Sequence, residues 1–234
     1  MGGILAAIGC GRVTLDVGAG GSGGGDGVGT TGVGGRGGTG GGWDSIGDTG
    51  RSIGAPRTLG VVGCSFATNV MVGYQKVGGM RMWPPISSDE SPIQRWTPGD
   101  SSAWRTFDSA AQTYGAPTDV WIQICAFANQ GVTPEEVQQV IANTHVHAPG
   151  ARIYITGQPL YNPGWTCLSA GEGGPELTDQ RAQEAANPVD DVVYAGRFVL
   201  DASASPSEVS SDTCHTSAAG DLALGNQALA KWGR

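Results

Sequence analysis

Two short motifs near opposite ends of one segment contain residue types that can cooperate in nucleophilic catalysis. Gly63-Cys64-Ser65 follows the apolar run Leu59–Val62 and supplies a hydroxyl group. Asp212-Thr213-Cys214-His215 precedes the last predicted helix and supplies a carboxylate and an imidazole. A hydroxyl, an imidazole and a carboxylate are the three groups of a serine-hydrolase triad. The residues therefore make an ester or amide hydrolase the leading hypothesis.

Each of these residues also has a non-catalytic interpretation. Ser65 begins a predicted helix, where it either acts as a nucleophile beside the free N–H groups of the first turn or simply caps the helix. Asp212 precedes His215 by three residues, so its carboxylate can reach the imidazole and hold one tautomer. The alternative is a surface aspartate beside a half-exposed histidine. The presence of both motifs in one chain favours the triad.

Strand and helix patterns alternate along the chain after Trp43. The apolar runs predict four strands, Arg57–Gly63, Asp119–Ala126, Ala151–Thr156 and Val192–Leu200. The helical patterns predict Phe66–Gln75, Thr178–Asn187, Gly220–Trp232 and a helix from the capping box Thr133-Pro134-Glu135-Glu136 to about His147. This alternation predicts an α/β domain, a three-layer α/β/α sandwich with a central parallel sheet.

Two polar residues fall on the same predicted edge of this sheet. Sites in parallel sheets form at the carboxyl ends of the strands. Ser65 follows the first predicted strand, and Asn129 comes shortly after the second. The Asn129 side-chain amide can donate to an oxyanion.

These residues resemble the SGNH (GDSL-type) hydrolase family over about Arg57 to Trp232. That family carries its nucleophilic serine in a Gly-Asp-Ser-like block, followed by a glycine, an asparagine and a C-terminal Asp-x-x-His. The matching positions here are Ser65, Gly99, Asn129, Asp212 and His215.

The resemblance implies a role for each matching residue. Ser65 would be the nucleophile, His215 the general base and then acid, and Asp212 the group that orients His215. The N–H groups of Ser65 and Gly99 and the amide of Asn129 would form the oxyanion hole, and no metal or cofactor is implied.

Two departures from the family pattern concern the surroundings of the site. Cys64 stands where the family has the aspartate of its serine block, and the turn before Asn129 lacks the family's glycine. The pair Gly78-Gly79 is an alternative to Gly99. None of these departures removes a triad group.

The N-terminal part of the chain differs from the rest in composition. Residues 18–42 include 16 glycines among 25 residues and no apolar residue larger than valine, so they cannot form a packed core. This tract is either a flexible linker or a set of packed polyproline-II-type glycine helices, because glycine also recurs at every third position. Residues 1–17 are predicted to be a docking segment, and residues 43–234 are predicted to form one hydrolase domain.

Charge and hydropathy limit the classes of partner. The formal net charge of the 234-residue chain is −8, and no basic stretch indicates a nucleic-acid partner. The apolar stretch Ile4–Ile8 is too short to span a bilayer, and the N-terminus lacks the features of a secretory signal. We therefore expect a protein that does not span a membrane.

Cysteines and tryptophans leave further alternatives open. Cys64 and Cys125 lie in apolar runs and are predicted to be buried free thiols. Cys167 and Cys214 lie in polar loops, where a disulfide between them is one of two possibilities. Four tryptophans in loop-like segments either line an apolar or sugar-binding cleft or cover the core, namely Trp83, Trp96, Trp104 and Trp165.

The combination of a short docking segment, a glycine tract and a hydrolase domain is similar to minor tail proteins of phages. That analogy implies an envelope-directed esterase or deacylase in a virion. Its substrate would be an acyl ester of a lipid or a glycan, and residues 1–42 would contact other tail proteins. The alternatives are a non-catalytic structural or receptor-binding virion protein and a free secreted or cell-wall esterase.

Overall fold

The computed structural model describes residues 57–85, 92–127, 130–164, 167 and 174–234. All of them belong to one structural unit, Thr49–Arg234. The predictions made for residues 1–17 and 18–42 lie outside the described residues, and so does Asn129.

The described residues form an α/β fold, as the alternating pattern predicted. The strands are β1 (Leu59–Val62), β2 (Asp119–Gln123), β3 (Arg152–Thr156), β4 (Leu160–Asn162), β5 (Val192–Tyr194) and β6 (Val199–Asp201). The α-helices are α1 (Ser65–Lys76), α2 (Ile93–Trp96), α3 (Ser102–Tyr114), α4 (Pro134–His147), α5 (Gly174–Ala185) and α6 (Ala218–Trp232). A short 3-10 helix spans Pro188–Asp190.

Four of the strands form a parallel sheet in the order β1-β2-β3-β5. Its register pairs Val61 with Trp121 and Trp121 with Tyr154. Parallel neighbours need crossover connections, and helices supply them along this chain. Strands β4 and β6 form a separate two-stranded parallel sheet. The carboxyl ends of β1 and β2 therefore lie at the same edge of the main sheet.

Both faces of the main sheet are buried, because alternate side chains enter two different apolar clusters. On β2, Val120 and Ile122 belong to the first cluster, and Trp121 belongs to the second. The first cluster includes apolar side chains of α3, α4 and α5. The second includes those of α1 and α6. Helices thus cover each face of the sheet.

Helices α1 and α6 touch backbone to backbone at a pair of glycines. A Cβ atom added at Gly73 would lie 1.7 Å from the carbonyl oxygen of Asp221. One added at Gly225 would lie 2.2 Å from the carbonyl carbon of Gly73. A salt bridge of 2.7 Å between Lys76 and Asp221 joins the same two helices. Only glycine permits this close approach at positions 73 and 225.

The structure confirms some predicted elements and corrects others. The capping box of α4 is present, since Thr133 Oγ1 accepts from Glu136 N and Glu136 Oε2 accepts from Thr133 N. The predicted strand Val192–Leu200 is wrong as a single element. It is two short strands in different sheets, separated by residues 195–198, among which Gly196 has a φ of +75°.

Three of the four tryptophans that were predicted to lie in loop-like segments are described by the structure, and all three are buried. Trp83 and Trp104 are fully buried, and Trp96 is 2% exposed. Trp104 stacks on His147 with ring centroids 4.4 Å apart. Of the two alternatives for these residues, covering the core is therefore correct for Trp83 and Trp104, whereas Trp96 is buried and also lines a small cleft beside α1. Trp165 lies outside the described residues.

Candidate active site

Ser65 lies at the carboxyl edge of the main sheet, where β1 leads into α1. It is the first helical residue, and Cys64, in extended conformation, is the N-cap. No side chain caps this helix. The N–H groups of the first turn have no intrahelical acceptor, so they are available to a negatively charged group. The Ser65 side chain itself contacts His215, and the capping interpretation of this residue is therefore wrong.

The structure brings Ser65, His215 and Asp212 together in one hydrogen-bonded series. His215 Nε2 lies 3.0 Å from Ser65 Oγ. His215 Nδ1 lies 2.7 Å from Asp212 Oδ2. Because a carboxylate only accepts, Nδ1 carries the proton and donates it to Asp212. Nε2 of the neutral ring then has a lone pair facing the Ser65 hydroxyl.

The Asp212 carboxylate is held by its own loop. Its Oδ1 accepts from the Ser210 hydroxyl, from Cys214 N at 2.8 Å and from His215 N at 2.9 Å. Partial burial raises the pKa of the Asp212 carboxyl, but these hydrogen bonds and the one from His215 outweigh that effect. The net result is a pKa well below its usual range, so Asp212 is a carboxylate at neutral pH.

The backbone of this loop departs from ordinary geometry at one residue. Thr213 has a φ of +63°, in the left-handed region that β-branched residues rarely adopt. Its N–H donates to the carbonyl of Ser210, and Ser210 N–H donates to the carbonyl of His215. These bonds close the turn and keep Thr213 in that conformation. Strained residues of this kind occur most often at functional sites.

Phe66 is a site residue that the sequence reasoning missed. Its ring stacks on the His215 imidazole, with centroids 5.5 Å apart and an interplanar angle of 26°. Phe66 is buried in the second apolar cluster and therefore gives the imidazole a rigid support. Its position directly after Ser65 was the available signal, but nothing in the spacing of the motifs indicated contact with residue 215.

Gly99 was matched by the resemblance to a glycine of the oxyanion hole, but its position in the structure differs from that expectation. It does not follow a strand, but lies in the exposed turn between α2 and α3. Its carbonyl lies 3.0 Å from His147 Nε2, in the last turn of α4. That end of α4 leads to the amino end of β3, whereas Ser65 follows the carboxyl end of β1. Of the four expected residues that the structure describes, three are joined by hydrogen bonds, whereas Gly99 contacts His147 and Asn143.

The cysteines correct one prediction and decide another. Cys64 and Cys125 are not free thiols, because they form a disulfide. The two residues follow β1 and β2, which are adjacent parallel strands, so both cysteines lie at the carboxyl edge of the sheet. Cys167 and Cys214 form the second disulfide, which settles the alternative left open for that pair. One disulfide residue directly precedes Ser65, and one directly precedes His215.

A small cleft adjoins the start of α1. It is lined by Val61, Gly63, Cys64, Ala67, Thr68, Met71 and Trp96. Most of these side chains are apolar, and the indole Nε1 of Trp96 donates to the carbonyl of Gly63 at 3.2 Å. This cleft has room for about one water molecule, so it adjoins Ser65 without offering space for a substrate group.

Neither a metal site nor a membrane span is found in the described part of the chain. No three His, Cys, Asp or Glu side chains there are grouped so that they could hold a metal ion. No helix within the described ranges is both long and apolar enough to cross a bilayer.

Comparison with known proteins finds no family model that matches this chain, and no curated protein gives a significant match.

Proposed function

We propose that this protein is a serine esterase or deacylase of the SGNH type, which hydrolyses acyl esters of a lipid or a carbohydrate. The single observation that carries the proposal is the series of hydrogen bonds from Ser65 through His215 to Asp212. The helices on both faces of a parallel sheet support a three-layer α/β/α sandwich of the SGNH type. The position of Ser65 at a strand end also supports it.

The proposed reaction has two steps. Ser65 Oγ attacks the carbonyl carbon of the ester while His215 Nε2 takes the hydroxyl proton. The imidazolium then gives that proton to the leaving alcohol oxygen as the carbon–oxygen bond breaks, which leaves an acyl group on Ser65. Water attacks the acyl-enzyme with His215 as the base, and the proton returns to Ser65 Oγ as the acid leaves. Asp212 stabilises the imidazolium in both steps.

The oxyanion of each tetrahedral intermediate needs hydrogen-bond donors. The backbone N–H of Ser65 belongs to the uncapped first turn of α1 and is the donor we propose from the described residues. Asn129 remains a proposed second donor, on its sequence position after the second predicted strand and on the SGNH resemblance. Removal of one such donor costs about 3–4 kcal/mol of transition-state stabilisation in well-studied hydrolases.

We also propose that the protein acts on a bacterial envelope as part of a phage tail, with residues 1–42 toward the other tail proteins. Two disulfides support a place of action outside a reducing cytosol. A free secreted esterase would share that property. The mass of the native assembly in solution, measured by light scattering, separates a particle component from a free enzyme.

The experiment compares the native chain with Ser65→Ala, Asp212→Asn and Ser109→Ala. Ser109 is an exposed serine on α3 whose hydroxyl donates within its own helix, so it is the matched control. Hydrolysis of p-nitrophenyl acetate and p-nitrophenyl palmitate, and labelling by a fluorophosphonate, are measured for each. We expect labelling of the native chain and Ser109→Ala, none of Ser65→Ala, and a rate about 10⁴-fold lower for Asp212→Asn. A native chain that neither turns over nor reacts at Ser65 contradicts the proposal.

A further inference from the structure

We propose that Tyr161 and Cys167 are positioning residues of the hydrolase, which hold the Asp212–His215 turn in place through Cys214. This inference rests on the proposed function. Residues 211–213 are exposed, and His215 and Thr216 are partly exposed. Cys214 alone in this stretch is buried, at 3% exposure. Cys214 therefore attaches the turn to the core, in addition to the stacking of His215 on Phe66, and it lies between the orienting carboxylate and the base.

Tyr161, on β4, makes the first attachment. Its hydroxyl donates to the carbonyl oxygen of Cys214 at 2.8 Å. The same peptide group carries the N–H of His215, which donates to Asp212 Oδ1 at 2.9 Å. The carbonyl oxygen of this peptide group therefore accepts from Tyr161, and its N–H donates to the Asp212 carboxylate. A displacement of this peptide moves Asp212 and His215 together, relative to Ser65 on α1.

The environment of Tyr161 suits this role. The side chain is 7% exposed and packs in the second apolar cluster. Burial, and secondarily the nearby negative charge of Asp212, raise the pKa of the Tyr161 hydroxyl. The hydroxyl therefore keeps its proton, and because a carbonyl can only accept, it is the donor. Its hydrogen bond to Cys214 is retained across the pH range in which a serine hydrolase works.

Cys167 makes the second attachment, by its disulfide to Cys214. Cys167 is fully buried, and 47 residues separate it from Cys214 along the chain. The bond is covalent, so it limits how far Cys214 can move even when the Tyr161 hydrogen bond is broken. Tyr161→Phe is therefore expected to keep the fold while it loosens the peptide between residues 214 and 215.

The test compares Tyr161→Phe and Cys167→Ser with Tyr74→Phe. Tyr74 is the matched control, because its hydroxyl is also buried with its ring and donates to a backbone carbonyl, that of Gly233, at 2.7 Å. Tyr74 lies near the far end of α1 from Ser65. The measurements are the thermal midpoint, the rate of fluorophosphonate labelling of Ser65, and kcat and KM for p-nitrophenyl acetate.

We expect the two tyrosine variants to lose similar thermal stability. Labelling and kcat should fall by about 10- to 100-fold in Tyr161→Phe and Cys167→Ser, with KM unchanged, because an error of about 1 Å in catalytic geometry costs that much. Tyr74→Phe should keep the native rates. If Tyr161→Phe failed to fold, Cys167→Ser would test the same attachment.

Native rates in the folded Tyr161→Phe or Cys167→Ser variant, or equal losses in Tyr74→Phe, overturn the positioning role. A native chain that does not react at all overturns the proposed function instead. The two failures are therefore distinguishable.

Discussion

The Asp212 carboxylate accepts four hydrogen bonds, all from residues 210–215. They hold the pKa of its carboxyl below the usual range despite partial burial. The unfolded chain lacks these bonds, so Asp212 binds a proton more readily when the protein unfolds. Folding stability is linked to pH through this difference.

We expect the stabilisation from Asp212 to be present at neutral pH and to decline in acid. A group whose pKa is depressed in the folded state stabilises the fold above its unfolded pKa, which is about 3.9 for aspartate. The contribution is lost as the pH falls from there through the lower folded pKa. Urea denaturation of the native chain and Asp212→Asn between pH 7 and pH 3 measures it. The difference in the free energy of unfolding should shrink below about pH 4, and a difference that does not vary with pH contradicts the assignment.

Among individual residues, those whose side chains have distinctive chemistry could be predicted from the sequence. Ser65, Asp212 and His215 could be chosen because their types and spacing allow few other roles in combination. Phe66 and Tyr161 could not, because an aromatic residue is as common in a core as beside an imidazole. The prediction of Gly99 rested on family spacing alone, because glycine has no side chain whose chemistry could mark its position.

Among the contacts between helices and strands, the one between α1 and α6 most affects the site. Ser65 begins α1, and His215 lies two residues before Ser217, the N-cap of α6. The glycines at positions 73 and 225 let these helices approach until their backbones touch. A side chain at either position must push them apart.

Gly225→Ala is therefore expected to lower the free energy of unfolding by about 1–3 kcal/mol, as overpacking of a core does. Its Cβ would meet backbone atoms of Gly73, which cannot turn away as a side chain can. The neighbouring Asn226 is exposed on the same helix, and Asn226→Ala should change stability by no more than about 0.5 kcal/mol. Urea denaturation followed by circular dichroism compares the two. Similar values for both variants would show that the helices can separate without cost.

Local signals predicted some elements well. The start of α4 could be placed because Thr133 and Glu136 form a capping box, which is a purely local device. Helix α3 was missed, although Ser101 caps it and its buried residues Ala103, Trp104, Phe107 and Ala110 recur at helical spacing. The sequence instead predicts a loop-like segment around Trp104. The division of Val192–Leu200 into two strands depends on pairing with different sheets, which no local pattern indicates.

At the scale of the whole molecule, two disulfides connect distant parts of the described chain. They close segments with sequence separations of 61 and 47 residues. In the chain-entropy model, a loop of this size stabilises the folded state by roughly 4 kcal/mol. This amount is a large part of the stability of an ordinary domain. Both bonds also adjoin the candidate triad.

Reduction is accordingly expected to remove both stability and reactivity. A thermal melt with a phosphine reductant should show a midpoint well below that of the oxidised protein, and fluorophosphonate labelling should decline in parallel. Mass spectrometry of a non-reducing digest checks the connectivity, with Cys64 linked to Cys125 and Cys167 linked to Cys214. An unchanged midpoint after complete reduction would mean that the bonds contribute little to the fold.

The packing of α1 against α6 also affects which parts of the protein can change during evolution while the triad is kept. Ser65 and His215 are 150 positions apart in the chain, yet their spacing depends on two helices that meet at Gly73 and Gly225. Surface segments between these helices, other than those that carry Tyr161 and Cys167, can lengthen, shorten or be exchanged without resetting the distance from nucleophile to base. Evolution can therefore alter the substrate-facing surface and the reactive pair independently, and a change of specificity need not begin with a loss of catalysis.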